Sequence, residues 1–266
     1  MGRTGKHRRN HLASLFVSVA FVLIPACSVK EDRGLCPCVL ELEFAGSDTV
    51  SMRSVELMVT SGSGYALSDT VDVIMSGNRY SAPVPRADLH VRAWAGTGGM
   101  ASEYGLLIPL GSACPQVYMH DSDVRAEGET VRESVFLRKN HCVVTLKTEG
   151  DVRLPSDVYV KGNVAGYDDK GAPLPGRFEV LLEDGSGDGV YEFVLPRQMD
   201  ASLMMELEDG QGGYKAFALG HYIVSSGYDW NSPDLDDVTV VMDYALTEVR
   251  LTISGWEGVY RYEIEI

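Results

Sequence analysis

From residue 40 onward, apolar side chains fall on every second position in one short run after another. Leu40, Leu42 and Phe44 bracket Glu41 and Glu43, and Val55, Leu57 and Val59 repeat the pattern. It returns at Cys142/Val144/Leu146, Phe178/Val180/Leu182, Tyr191/Phe193/Leu195 and Leu203/Met205/Leu207, then at Val238/Val240/Met242 and Val249/Leu251/Ile253. A period of two places one face of a strand on a core and the other in water. Turn-forming clusters separate the runs: Ser61–Gly64, Gly96–Gly99, Asp168–Gly171, Asp184–Gly189 and Asp209–Gly213. Beyond the N-terminal segment, no stretch of ten residues keeps a capped helical period. Many short strands joined by glycine-rich turns predict an all-β chain of antiparallel sandwiches with little helix.

A repeat predicts two such sandwiches. Tyr80-x4-Pro85-Arg86 recurs as Tyr191-x4-Pro196-Arg197, and each copy leads into an alternating strand and a Gly-Gly turn. Upstream, Val55–Val59 before Gly64-Tyr65 parallels Val158–Val160 before Gly166-Tyr167. The spacing between these landmarks differs in the two copies, as expected of an old duplication. The boundary is expected near Asn140, dividing the body into domains at 36–139 and 140–266.

The N-terminus is of another kind. Met1–His11 holds Arg3, Lys6, Arg8 and Arg9 with no acid, and Leu12–Ala26 is apolar or small except at Ser14 and Ser18. A basic segment before a short apolar one reads as a secretory signal, 1–26. As a helix the apolar part would reach about 22 Å, short of the ~30 Å needed to span a bilayer. Ile24-Pro25-Ala26-Cys27 resembles a bacterial lipobox, in which the Cys27 thiol would take the diacylglycerol and the mature N-terminus its palmitate. Pro25 departs from the commonest pattern. Lys30-Glu31-Asp32 just beyond resembles the surface-export signal of Bacteroidetes lipoproteins, in a tether of residues 27–35.

Charge and cysteines narrow the class. The chain has 23 Lys and Arg against 38 Asp and Glu, a formal charge of −15. Such a body would be repelled by phosphate backbones, so nucleic acid is excluded as a partner. In an exported chain Cys36, Cys38, Cys114 and Cys142 are candidates for disulfides. Two cross-links from Cys36/Cys38 to Cys114 and Cys142 would pin the first strand to the end of the first domain. Free buried thiols are the alternative, and the C-x-C spacing does not suit a structural zinc module.

Nothing in the sequence points to catalysis, a metal or a cofactor. His90, His120, His141 and His221 are isolated, and no nucleophile elbow, phosphate loop or dinucleotide fingerprint occurs. Asp184-Gly-Ser186-Gly-Asp188-Gly189 opens like a calcium loop, but Leu195 stands where a bidentate glutamate is required, and a hairpin turn is the better reading.

The tether KEDR followed by LCPCVLELEF, with PVPRADLHVRAWAG, HCVVTL and DLDDVTVVMDYALTEVRLTISGW later, resembles the FimB-type fimbrial anchor lipoproteins of Bacteroidales. The resemblance runs through the whole mature chain, and its specific part is the N-terminal stretch. It implies two transthyretin-like β-sandwich domains and a non-enzymatic anchor or accessory subunit. It also implies attachment to the cell outer membrane through Cys27, surface exposure, and fimbrial structural subunits as partners. The alternative is a surface lipoprotein that binds glycan or a host ligand, which solvent-facing aromatics on a sandwich would favour. The end of the chain alternates strictly, with Tyr260, Tyr262, Ile264 and Ile266 on one face, and reads as a strand that closes its own sheet or is donated to another subunit.

Overall fold

The computed structural model describes residues 36–45, 53–148, 157–183, 187–208, 213–244, 248–255 and 258–265. The first half of the chain forms β1 (Cys38–Ala45), β2 (Ser54–Ser61), β3 (Ala66–Asp72), β4 (Arg79–Val84) and β5 (Asp88–Ala95), then the short β6 (Ala101–Ser102) and β7 (Gly105–Leu107). β8 (Tyr118–Arg125), β9 (Thr130–Phe136) and β10 (Arg138–Lys139) follow. The second half holds β11 (His141–Thr148), β12 (Val158–Asp168), β13 (Pro173–Leu182), β14 (Val190–Pro196), β15 (Met204–Glu208) and β16 (Tyr214–Phe217). After a short helix α1 (Leu219–Ser225) come β17 (Val238–Tyr244), β18 (Glu248–Gly255) and β19 (Gly258–Glu265). The all-β sandwich expected from the alternation is what forms.

Each half builds a core between two sheets. In β1, Cys38, Leu40, Leu42 and Phe44 are buried while Glu41 and Glu43 face out, as the period of two requires. These side chains meet Val55, Leu57 and Val59 of β2 and Leu89, Val91 and Ala93 of β5 across the first sandwich. Burying each such aliphatic side chain stabilises the fold by roughly 2 kcal/mol. In the second core Cys142, Val144 and Leu146 meet Val158, Val160, Met205 and Leu207.

The strand orders of the two halves match. One sheet of the first half runs β4-β1-β9, and its counterpart runs β14-β11-β17 before β18 and β19 extend it. In both, the central strand is antiparallel to one neighbour and parallel to the other. The facing sheets match as well: β8-β5-β2-β3 in the first half corresponds to β16-β15-β12-β13 in the second. Tyr80 on β4 pairs with Leu42 of β1, and Tyr191 on β14 pairs with Leu146 of β11, so the Tyr-x4-Pro-Arg copies occupy equivalent places. Asn140 lies between β10 and β11. One turn differs from its sequence reading. β13 and β14 are not partners in a hairpin, because β13 pairs with β12 while β14 pairs with β11 in the facing sheet.

From Pro37 onward the chain packs as one compact unit, and β6–β7 shows why. This hairpin leaves the first sandwich between β5 and β8 and pairs with β12 of the second through Leu107↔Gly166, Leu106↔Tyr167 and Gly105↔Asp168. A Cβ on Gly166 (φ +149°) would lie 2.0 Å from the Leu106 carbonyl oxygen, and one on Gly105 (φ +124°) 2.2 Å from that of Tyr167. Only glycine permits this approach. Leu106, Ile108, Cys114 and Val117 then pack into the second core. Arg92 of β5 holds the hairpin from the other side, its guanidinium donating to the carbonyls of Ser102 (2.7 Å) and Glu103 (3.1 Å) and stacking 4.7 Å from the Trp94 ring.

The equivalent arginines of the repeat have opposite surroundings. Arg197 donates from Nε to Asn140 Oδ1 and from Nη1 to the carbonyls of Trp230 and Ser232, the last at 2.8 Å. Arg86 has a buried Nε with no hydrogen-bond partner among the described residues. Removing Arg197 would orphan several buried acceptors, each costing about 1–3 kcal/mol. Arg197→Leu should therefore lower unfolding stability by about 3 kcal/mol in urea titrations, whereas Arg86→Leu should change it by less than about 1 kcal/mol.

Candidate functional site

The residues singled out in the sequence fall at the two ends of the chain. Cys27, Lys30, Glu31, Asp32 and the rest of the tether lie outside the described residues, as does Ile266. What the structure does place is the strand that the tether feeds. Cys36 is exposed, Cys38 is wholly buried, and between them the chain turns from solvent into the core of the first sandwich. β1 is the central strand of its sheet, paired antiparallel with β4 from Cys38↔Val84 to Glu43↔Arg79 and parallel with β9 from Val39↔Thr130 to Ala45↔Phe136. A pull along β1 would load two ladders in shear at once, together with four side chains seated in the core.

The four described cysteines are free thiols. The cross-links considered from Cys36 and Cys38 to Cys114 and Cys142 are not made, because Cys38 points into the first core while Cys114 and Cys142 point into the second. Burial pushes the Cys114 thiol far up and the Cys142 thiol up to about 12, so both are held protonated. Cys38 and Cys142 occupy matching positions, two residues before Leu40 and Val144 on the two central strands, and serve there as small core residues.

At the other end, β19 pairs antiparallel with β18 throughout, with Tyr260 opposite Ile253, Tyr262 opposite Leu251 and Ile264 opposite Val249. β18 in turn pairs with β17, so this hairpin extends the sheet β14-β11-β17 and leaves β19 as its edge. The equivalent place beside β9 in the first sandwich carries no strand among the described residues.

The polar clusters between these ends are structural in their contacts. His90 is flanked by Asp121 (2.9 Å) and Asp123 (3.1 Å). His120 accepts the Phe136 N–H at Nδ1 (3.3 Å) and has Ser122 Oγ 3.1 Å from Nε2. His141 donates from Nδ1 to the Val117 carbonyl (3.0 Å) and sits edge-on to Tyr118. A shallow hollow of about 560 Å³ on the outer face of β4-β1-β9 is lined by Glu41, Glu43, Arg79, Tyr80 and Arg132. Its charges are already matched, Arg132 to Glu41 at 2.8 Å and Arg79 to Glu43 at 3.8 Å. No group of three His, Cys, Asp or Glu side chains among the described residues is arranged to hold a metal ion. No described helix is long and apolar enough to cross a membrane.

No family model and no curated protein sequence matches the chain. Solved structures do. The fimbrial anchor protein Mfa2 from Porphyromonas gingivalis is similar over 85% of this chain and 100% of its own, with a TM-score of 0.60 at 11% identity. A candidate adhesin from Bacteroides ovatus gives 0.64 at 12% identity over 85% and 96% of the two chains. A candidate polysaccharide-binding protein from Bacteroides thetaiotaomicron gives 0.63 at 13% identity over 85% and 98%. The fold is shared. At such identities the likeness concerns architecture, and it extends over nearly the full length of all three.

Two measurements follow from this geometry. Deleting residues 258–266 strips the edge strand from β18 and should lower the thermal midpoint, as measured by circular dichroism; an unchanged midpoint would show that the hairpin adds nothing at home. The second is a pH dependence. Burial holds the His141 pKa below its ordinary value, with Lys139 adding to the effect and Asp237 opposing it. Between that lowered value and the unfolded ~6.5, the unfolded chain binds more protons, so stability falls as pH drops through about 6.5. The thermal midpoint should decline from about pH 7.5 to about pH 5.5, and His141→Asn, which keeps a donor near Nδ1, should decline less.

Proposed function

We propose that this chain is a non-enzymatic surface lipoprotein, tethered to the outer membrane through a lipid on Cys27, that serves as an anchor or accessory subunit of a fimbria. The observation that carries the reading is the likeness in fold to the fimbrial anchor Mfa2 over 85% of this chain and all of that one, in a chain whose tether precedes the central strand β1. An anchor must pass load from a polymer to a lipid. Load arriving at Cys36 would meet a strand hydrogen-bonded on both sides, which resists peeling far better than an edge strand would. In this reading residues 1–26 are removed, Lys30-Glu31-Asp32 directs display on the outer face, and 36–139 and 140–266 act as two sandwich domains in series. Tyr260, Tyr262, Ile264 and Ile266 belong to the closing strand of the second, whose free edge is the place for contact with fimbrial subunits.

The test is fractionation. Cys27→Ala should shift the protein out of the outer-membrane fraction and abolish lipid mass on its N-terminal peptide; unchanged partitioning would overturn the anchor. Replacing Lys30, Glu31 and Asp32 by alanine should keep membrane attachment but protect the protein from protease added to whole cells.

A further inference from the structure

The outer face of the sheet β13-β12-β15-β16 carries two tyrosines beside one lysine. Its inward residues Val158, Val160, Val180, Leu182, Met205 and Leu207 are buried in the second core. The alternate positions lie on the outer side, where Leu181, Tyr214 and Ala216 are exposed and Tyr159, Lys161, Glu179 and Glu206 are half-buried. The strand register sorts these into rows. Leu181, Tyr159, Glu206 and Ala216 stand side by side across four strands. On one side lies Glu208 opposite Tyr214, with the Glu208 N–H donating to the Asp157 carbonyl at 3.0 Å. On the other lie Glu179, Lys161 and Met204.

Two aromatic rings are organised by one cation here. Lys161 Nζ sits 5.7 Å from the Tyr159 ring centroid and 5.8 Å from that of Tyr214, and is fixed by Glu206 Oε2 at 2.6 Å. Tyr214, the first residue of β16, is 58% exposed. Arg177 is held by Glu179 at 2.5 Å. The face thus presents one exposed and one half-buried tyrosine ring on an open sheet surface, among carboxylates and a lysine held by their ion pairs.

The chemistry of the partner follows from that mixture. A tyrosine offers an apolar ring face with a polar rim, the form that stacks against the C–H face of a pyranose while its neighbours bond the hydroxyls. Asp157, Glu179, Glu206 and Glu208 outnumber Lys161 and Arg177, so phosphate, sulfate and uronate ligands would meet repulsion. A protein partner fits less well, since Lys, Glu and Asp are depleted at the centres of protein interfaces and here stand among the rings. An open sheet face suits an extended chain rather than a small molecule in a pocket. We infer that the outer face of β13-β12-β15-β16 is a binding platform for neutral polysaccharide, with Tyr159 and Tyr214 as stacking surfaces and Glu206, Glu208 and Lys161 as hydroxyl partners.

This platform is independent of the anchor role, because it needs neither the lipid nor a fimbrial neighbour. It is tested by affinity electrophoresis of the detergent-solubilised full chain in gels containing yeast mannan, dextran, xylan or galactomannan, with heparin as the anionic comparison. At least one neutral polymer should retard the protein and heparin should not. Tyr214→Ala should weaken that retardation about tenfold and Tyr214→Phe should largely preserve it, both with unchanged thermal midpoints. Absence of retardation by all four neutral polymers, full retardation of the Tyr159→Ala/Tyr214→Ala double variant, or preference for heparin would each overturn the assignment.

Discussion

Asn140 holds the two sandwiches to each other, and every hydrogen-bonding group it owns is engaged in doing so. Its backbone N–H donates to the Val117 carbonyl at 3.0 Å, and its own carbonyl accepts from the Tyr167 hydroxyl. Its side-chain oxygen accepts from Arg197 Nε, and its amide nitrogen reaches the Gly171 carbonyl at 3.0 Å and Met119 Sδ at 3.0 Å. One residue thereby ties β8 and the approach to it in the first half to β12, the β12–β13 turn and Arg197 after β14 in the second, and Arg197 carries the link on to the loop before β17. In a buried setting such a network rigidifies only when it is complete, because any member left unpaired costs desolvation without return. Around it Arg138 and Lys139 reach Asp234 and Asp237, and Leu235 donates to the Lys139 carbonyl. A junction built this way transmits force and position between halves that a flexible linker would leave independent.

That rigidity gives the strand order its meaning. β1 and β11 are both central strands, each flanked by one antiparallel and one parallel neighbour. The chain therefore leads from the tether into an interior strand of one sheet and from Asn140 straight into an interior strand of the next. The β6–β7 hairpin adds a second crossing, seated by the close backbone contact that Gly105 and Gly166 allow. A molecule with two cores thus behaves as one body, a useful property whether it bears load, presents a sugar-binding face, or does both.

The two halves share a strand order and differ in what surrounds it. Tyr80 and Tyr191 keep the same place on the same strand, but Arg197 acquired a set of carbonyl acceptors that Arg86 lacks. The segment supplying them, Trp230–Pro233, follows the helix Leu219–Ser225, for which the first half has no equivalent among the described residues. The second half also carries β18 and β19 where the first has an uncovered edge.

Much of this was legible before any coordinates. Alternation at Leu40/Leu42/Phe44 and Cys142/Val144/Leu146 determined which face of each central strand is buried, because side-chain direction in a strand is fixed by parity alone. The Tyr-x4-Pro-Arg copies located equivalent strands for the same reason: a local pattern survives wherever a local geometry is kept. Pairing between strands distant in sequence left no such trace. That β13 and β14 join different sheets, that Cys38 lies in one core and Cys114 in the other, and that Lys161 gathers Tyr159 and Tyr214 on one face all depend on which strands become neighbours. Sequence fixes the direction of a side chain relative to its own strand; only the closed sheets decide what it meets there.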